Sequence, residues 1–181
     1  MNQQDDYGNI EEIIKEYNKK IFNMLCSLSG NIEEAKDLTQ ETFIKAYRKL
    51  RSFQNRSDIY TWLYRIAVNC WKNKVRYNRR RGIYRTISID AKADDNKQTI
   101  ADKIEDKTAS GEQKAIHEDM QKRIDIEMHL LPPKYQIPLT LHIKELSYEE
   151  ISKILKCSVG TAKSLVFRAK EKLKEKIMPY L

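Results

Sequence analysis

Lys163, Ser164, Phe167 and Arg168 stand close together in a stretch, 158–178, whose apolar residues repeat with helical period. Turned at about 100° per residue, the stretch gathers Ala162, Leu165, Val166, Ala169, Leu173 and Ile177 on one side. Gly160, Ser164, Phe167 and Glu171 fall nearly opposite, with Lys163 and Arg168 beside them. A large aromatic placed away from the apolar stripe, next to a small hydroxyl and two cations, has the chemistry to touch base edges and thymine methyls in a duplex groove. The same four residues also fit a plainer arrangement, in which Phe167 packs on a neighbouring domain and the cations are merely solvated.

Two further constellations lie upstream. In 59–80 the main apolar stripe is Ile59, Leu63, Ile66, Ala67 and Cys70, and Tyr60, Tyr64 and Trp71 form a second, aromatic stripe about a third of a turn away. Thr61, Arg65, Asn69 and Lys72 take a polar side. Aromatics beside Asn, Arg and Lys are the ingredients of single-strand recognition by stacking and phosphate contact, although in a small helical bundle such aromatics more often pack inside. In 32–51 an outward Ile44 is surrounded by Asp37, Gln40, Glu41 and Arg48, which fits a protein-binding patch better than a purely solvated face.

Helices must position all three sets. The first should cover about 10–29, with Ile13, Ile14, Tyr17, Ile21, Met24, Leu25 and Leu28 inward, and Gly30 should end it. Asn31 and Glu34 have capping-box spacing for the second, whose buried side is Ala35, Leu38, Thr42, Phe43, Ala46 and Leu50. Asp58 or Ser57 caps the third, which runs to about Arg80. Periodicity then fails, and 86–112 reads as a flexible acidic linker. An amphipathic helix resumes near Gln113 and runs to His129, and Pro132-Pro133 opens the next. Ser147 with Glu150 forms another capping box, so a helix should start at Tyr148, and Ser158 caps its successor after a turn of three or four residues. That is helix-turn-helix geometry. The expected fold is all-α: a domain at 1–85, a linker at 86–112, and a helix-turn-helix domain at 113–181.

Composition limits the function. Among 181 residues the net charge is +8, which calls for an acidic partner. Seven cations and no acid occupy 72–85, seven cations stand against two acids in 156–176, and seven acids against four lysines in 90–113. Two basic zones separated by an acidic one suit two nucleic-acid contacts joined by a segment that avoids the duplex. Cys26, Cys70 and Cys157 are widely spaced, as are His117, His129 and His142, so free thiols are expected and neither a metal site nor a cofactor. No stretch approaches the roughly 20 apolar residues of a membrane span. The acidic N-terminus lacks an apolar signal region, so the protein is expected to stay in the cytoplasm. No nucleophile stands with a base and no carboxylates cluster, so the chain is not expected to be an enzyme.

The strings GNIEEAKDLTQETFIKAYRKLRSF, IYTWLYRIAVNCWKNKVR and LPPKYQIPLTLHIKELSYEEISKILKCSVGTAKSLVFRAKEKL closely resemble, in that order and spacing, the extracytoplasmic-function (group IV) sigma factors of bacterial RNA polymerase. The resemblance implies that Asp37, Gln40, Glu41 and Ile44 dock on the clamp coiled coil of the core enzyme, with further contact to its flap. It implies that Arg56, Ser57, Asp58 and Ile59 shape a pocket for an extruded base of the -10 element. Extruding a base costs a few kcal/mol, which contacts in the pocket must offset. Tyr60, Trp62, Arg65, Asn69, Lys72, Asn73 and Arg76 would belong to the same single-strand surface, with Lys72, Lys74, Arg76, Arg79 and Arg80 on phosphates. Lys163, Ser164, Phe167 and Arg168 would read the -35 duplex. An anti-sigma factor, often membrane-anchored in the family, would hold the factor inactive until a stress signal arrives, without the chain itself entering a membrane.

The chain departs from the family pattern in two respects. Where many members have a glycine before the leucine that opens the helix-turn-helix, this chain has Glu145, and Ala162 and Leu165 replace residues that are often branched or basic. The 27 residues of 86–112 would reach at most about 90 Å when extended, enough to bridge promoter elements about two duplex turns apart. A stand-alone helix-turn-helix dimer and a nuclease are the competing readings. The first leaves the docking motif unexplained, and the second lacks its carboxylates.

Overall fold

The computed structural model describes residues 10–50, 53, 58–82 and 111–180, with side chains from 119 onward in the last stretch. These fall into two compact units that divide after Arg85. Among the described residues all regular structure is helical. The expected linker lies almost wholly outside them, as do Arg56 and Ser57.

The N-terminal unit comprises α1 (Ile10–Ser29), α2 (Ile32–Leu50) and α3 (Ile59–Arg80), which pack on one another. Gly30 terminates α1 in the left-handed region, φ 68°, and its N–H donates to the Cys26 carbonyl. The Asn31 side chain caps α2 by accepting from the Glu34 N–H at 2.9 Å. The reciprocal half of the expected box is made differently, because the Asn31 N–H donates to Ser29 Oγ. Asp58 occupies the N-cap of α3 without a side-chain cap bond, and the Trp62 N–H donates to its carbonyl.

Ile21, Met24, Leu25, Leu28, Ala35, Ala46, Leu63 and Ala67 are wholly buried, which fixes the three helices by their apolar seams. Three expectations change. Ile14 is exposed and Leu50 only half-buried. On α3 the buried arc includes Thr61, Tyr64, Val68 and Trp71, while Ile59 and Ile66 are half-buried. Because α3 lies against both α1 and α2, about half its circumference is covered, and the cover is centred nearer the aromatics than the aliphatics. Thr61 therefore leaves the polar side for the core.

The C-terminal unit comprises α4 (Gly111–Leu130), α5 (Pro133–Ile143), α6 (Tyr148–Leu155) and α7 (Val159–Ile177), followed by a 3-10 turn at Met178–Tyr180. The first begins two residues before the expected position. Helix α7 is the spine, touched by α4, α5 and α6. Met128, Leu131, Tyr135, Leu139 and Ala169 form one cluster, with Ile143, Leu165 and Leu173 against it. Helix α5 is buried from Tyr135 to Leu141, Gln136 and Thr140 included, so it is covered around its girth and shows no amphipathic stripe.

Candidate nucleic-acid interface

Local sequence sets the helix-turn-helix. Ser147 Oγ accepts from the Glu150 N–H at 3.2 Å, and Glu150 Oε2 accepts from the Ser147 N–H at 2.7 Å, so the capping box is complete. Helix α6 ends at Lys156 in the left-handed region, φ 56°. Ser158 then caps α7 by accepting from the Thr161 N–H at 3.1 Å, which leaves a connection of residues 156–158. Glu145 also lies in the left-handed region, φ 66°, so it adopts the backbone that glycine takes there at lower cost.

Ala162, Val166 and Ala169 are buried at the seam of α7. Lys163, Ser164 and Arg168 are exposed on the other side, and Phe167 is 65% exposed. The four side chains share one open surface, and Phe167 is no core residue. Beside them, the Tyr148 ring stacks on the His142 ring with centroids 5.2 Å apart and planes 14° from parallel. Lys163 Nζ lies 5.6 Å from the Tyr148 ring centre, and Lys170 Nζ is 3.0 Å from His142 Nε2. Burial holds the His142 imidazole below its ordinary value, and the Lys170 ammonium adds to this. Sequence reading missed His142, Tyr148 and Lys170, since no motif links residues on three helices.

On α3 the helical angle groups Trp62, Arg65, Asn69, Lys72, Asn73 and Arg76 within about 100° of arc. Asn69, Asn73 and Arg76 are exposed, with Trp62, Arg65 and Lys72 half-buried. Trp62 leans on Phe53 at 4.8 Å between centroids. Tyr64 and Trp71 are buried and serve packing, not stacking on bases. Tyr60 turns away from the Asn69 face. Its ring lies 4.3 Å from that of Tyr64 and 6.0 Å from that of Tyr17, with Lys20 Nζ 5.9 Å from its centre. Burial and the adjacent Glu16 push the Tyr17 phenol up to about 12, so it is un-ionised at neutral pH. Ile59 is half-buried and Asp58 exposed.

On α2, Asp37, Gln40 and Glu41 are exposed, and Ile44 is 51% exposed on the same face. Tyr47, 64% exposed, enlarges this apolar patch one turn further on. It stands at the i+3 position from Ile44, a spacing that would have pointed to it in the sequence. Lys45 Nζ donates to Glu41 and approaches Cys70 Sγ at 3.5 Å, tying this edge to α3. Burial pushes the Cys70 thiol up, with Glu41 adding to the shift. None of the three cysteines is in a disulfide, with Cys70 buried and the other two half-buried. Among the described residues no His, Cys, Asp or Glu cluster is arranged to hold a metal. Nor is any helix there long and apolar enough to cross a membrane.

These surfaces coincide with the segments that known proteins share. Residues 13–81 match the Sigma-70 region 2 family and residues 123–173 match Sigma-70, region 4. The chain is 33% identical over 180 residues to the RNA polymerase sigma-H factor of Pseudomonas aeruginosa, covering 99% of this chain and 91% of that protein. It is 34% identical over 182 residues to the ECF RNA polymerase sigma-E factor of Escherichia coli K12, covering 99% and 92%. In fold it is similar to the sigma factor RpoE of Bartonella quintana, solved in complex with the anti-sigma factor NepR, at TM-score 0.67 and 23% identity over 93% of this chain and 96% of that one. It is also similar to CnrH, solved with the cytosolic domain of CnrY, at TM-score 0.64 and 18% identity over 93% and 88%. With two sigma regions in order and full-length relatives above 30% identity, the chain belongs to the extracytoplasmic-function family of RNA polymerase sigma factors.

Proposed function

We propose that this sigma factor divides promoter recognition between its two units, with Lys163, Ser164, Phe167 and Arg168 reading -35 duplex and α3 holding melted -10 DNA. The observation that carries the reading is the open face of α7, where a large aromatic stands 65% exposed opposite a seam of buried alanine and valine. An aromatic left in water forgoes the transfer free energy of burial, and a partner that covers it recovers that free energy. Cations on both sides define that partner as an anion, and duplex DNA offers both phosphates and thymine methyls.

In the N-terminal unit, Trp62, Arg65, Asn69, Lys72, Asn73 and Arg76 track the non-template strand. Asp58 and Ile59, together with Arg56 and Ser57, shape the base pocket at its start. Asp37, Gln40, Glu41 and Ile44 dock on the clamp coiled coil of core RNA polymerase, and flap contacts engage the C-terminal unit. The factor works in the cytoplasm as an initiation factor, not an enzyme. An anti-sigma factor, the kind of partner with which the similar RpoE was solved, holds it inactive, at the membrane where that partner is anchored, until an envelope or extracellular stress signal arrives.

Gel filtration with core polymerase tests the assembly, and run-off transcription from promoters with base substitutions tests the reading. Start sites sensitive to bases near both -35 and -10 are expected. No association with core polymerase would sink the assignment.

A further inference from the structure

We propose that His142 and Lys170 form a proton-linked site for a DNA backbone phosphate, so that the C-terminal unit takes up a proton at His142 when it engages duplex. This rests on the reading of α7 as a DNA-contacting helix and adds to it a residue pair, a ligand group and a pH dependence.

His142 closes α5 and Lys170 lies in the middle of α7, and the fold brings Nζ to 3.0 Å from Nε2. An ammonium can only donate, so at that distance Nε2 accepts and the imidazole is neutral. Its ring is held against Tyr148 by stacking. The groups facing it are Lys170 from α7, the Tyr148 phenol from α6, and Lys163 across that phenol ring. Protonating His142 beside Lys170 would set two cations in contact, and an anion relieves that conflict. A phosphate oxygen set between the two nitrogens would accept from both, and bonds to a charged donor are roughly twice as strong as neutral ones.

The site also lies where DNA would be. Lys163, Phe167 and Lys170 are at i, i+4 and i+7 on α7, which puts them on one face. A duplex touched by Phe167 therefore presents its backbone beside Lys170 and His142.

In the free chain burial and Lys170 hold His142 low, and a bound phosphate favours the imidazolium and raises it. Binding then takes up a proton at pH values between the free and bound midpoints. Affinity rises as pH falls through the bound midpoint and levels off below the free one.

The test uses the full chain and a short duplex of random sequence, because phosphate contacts carry no base information. The His142 Cε1–H resonance, assigned by its loss in His142→Gln, is titrated by NMR with and without saturating duplex. Duplex affinity is measured by anisotropy at high and low pH. A rise of about one unit in the His142 midpoint is expected with duplex, and with it an affinity gain of about tenfold on acidification. His142→Gln should lose that gain, since His117 and His129 contribute equally to both proteins. His142→Arg should bind tightly at every pH, and Lys170→Met should weaken binding while raising the free-state midpoint. Duplex bound with the His142 midpoint unmoved overturns the site and leaves the DNA-reading helix standing. Inorganic phosphate moving the midpoint as far as duplex does overturns the assignment to DNA. A wild-type chain that binds no duplex overturns both the site and the reading beneath it.

Discussion

Phe167 and Trp71 are two aromatics on helical faces whose burial assigns them opposite tasks. Phe167 is 65% exposed and Trp71 is 1% exposed. Phe167→Ala should leave thermal stability within about 0.5 kcal/mol, as for other surface substitutions. It should weaken promoter binding by about 1 to 3 kcal/mol, in the range of a lost base contact, without changing association with core polymerase. Parallel melting and footprinting measurements check both, and equal loss of stability and binding would make Phe167 a packing residue. Trp71→Ala, by contrast, should cost about 3 to 5 kcal/mol of stability, read by denaturant unfolding of the N-terminal unit. The sequence placed both residues on helical faces. For Phe167 the rotation alone was sufficient, because α7 has one apolar stripe. For Tyr64 and Trp71 it left a choice, because α3 has two adjacent stripes and only the neighbours decide how wide the covered arc is.

At the scale of elements, the turn before α6 makes the most pointed prediction. Glu145 sits at φ 66°, where a non-glycine residue pays roughly 1 to 2 kcal/mol, while glycine would add unfolded-state freedom worth roughly 0.5 to 1 kcal/mol. Glu145→Gly should therefore raise stability by up to about 1 kcal/mol, and a lower melting temperature would show that the Glu145 side chain contributes more than the strain costs. Ser147→Ala should cost about 1 kcal/mol by removing the acceptor of the Glu150 N–H, with faster hydrogen exchange at that amide as the local readout. Caps of this kind were legible in the sequence because capping uses residues three apart. The second half of the Asn31 cap was not, since it comes from Ser29 on the preceding helix. On α2, Ile44 and Tyr47 lie one turn apart and both exposed. Ile44→Glu should abolish co-elution with core polymerase without lowering the melting temperature, because no buried contact is lost.

The whole molecule is a sigma factor in which two helical units of the same chain share one promoter, and its charge sets how it binds. A net charge of +8 concentrated in two basic zones should make the logarithm of promoter affinity fall steeply and linearly with the logarithm of salt concentration. Filter binding of the holoenzyme across a salt series should show a shallower slope, by about one unit, for each phosphate-facing lysine or arginine removed. A slope unchanged in Arg76→Ala would take that residue out of the DNA surface. By itself the sequence determined the all-helical class, the caps that start α2, α6 and α7, the outward set on α7 and the family, because each rests on residues within a few positions of one another or on strings read in order. Only the tertiary structure decided which arc of α3 is buried, that Tyr60 turns toward Tyr17, and that His142, Tyr148, Lys163 and Lys170 meet. Those facts depend on how helices distant in sequence pack against each other, and the period of a single helix carries no record of its neighbour.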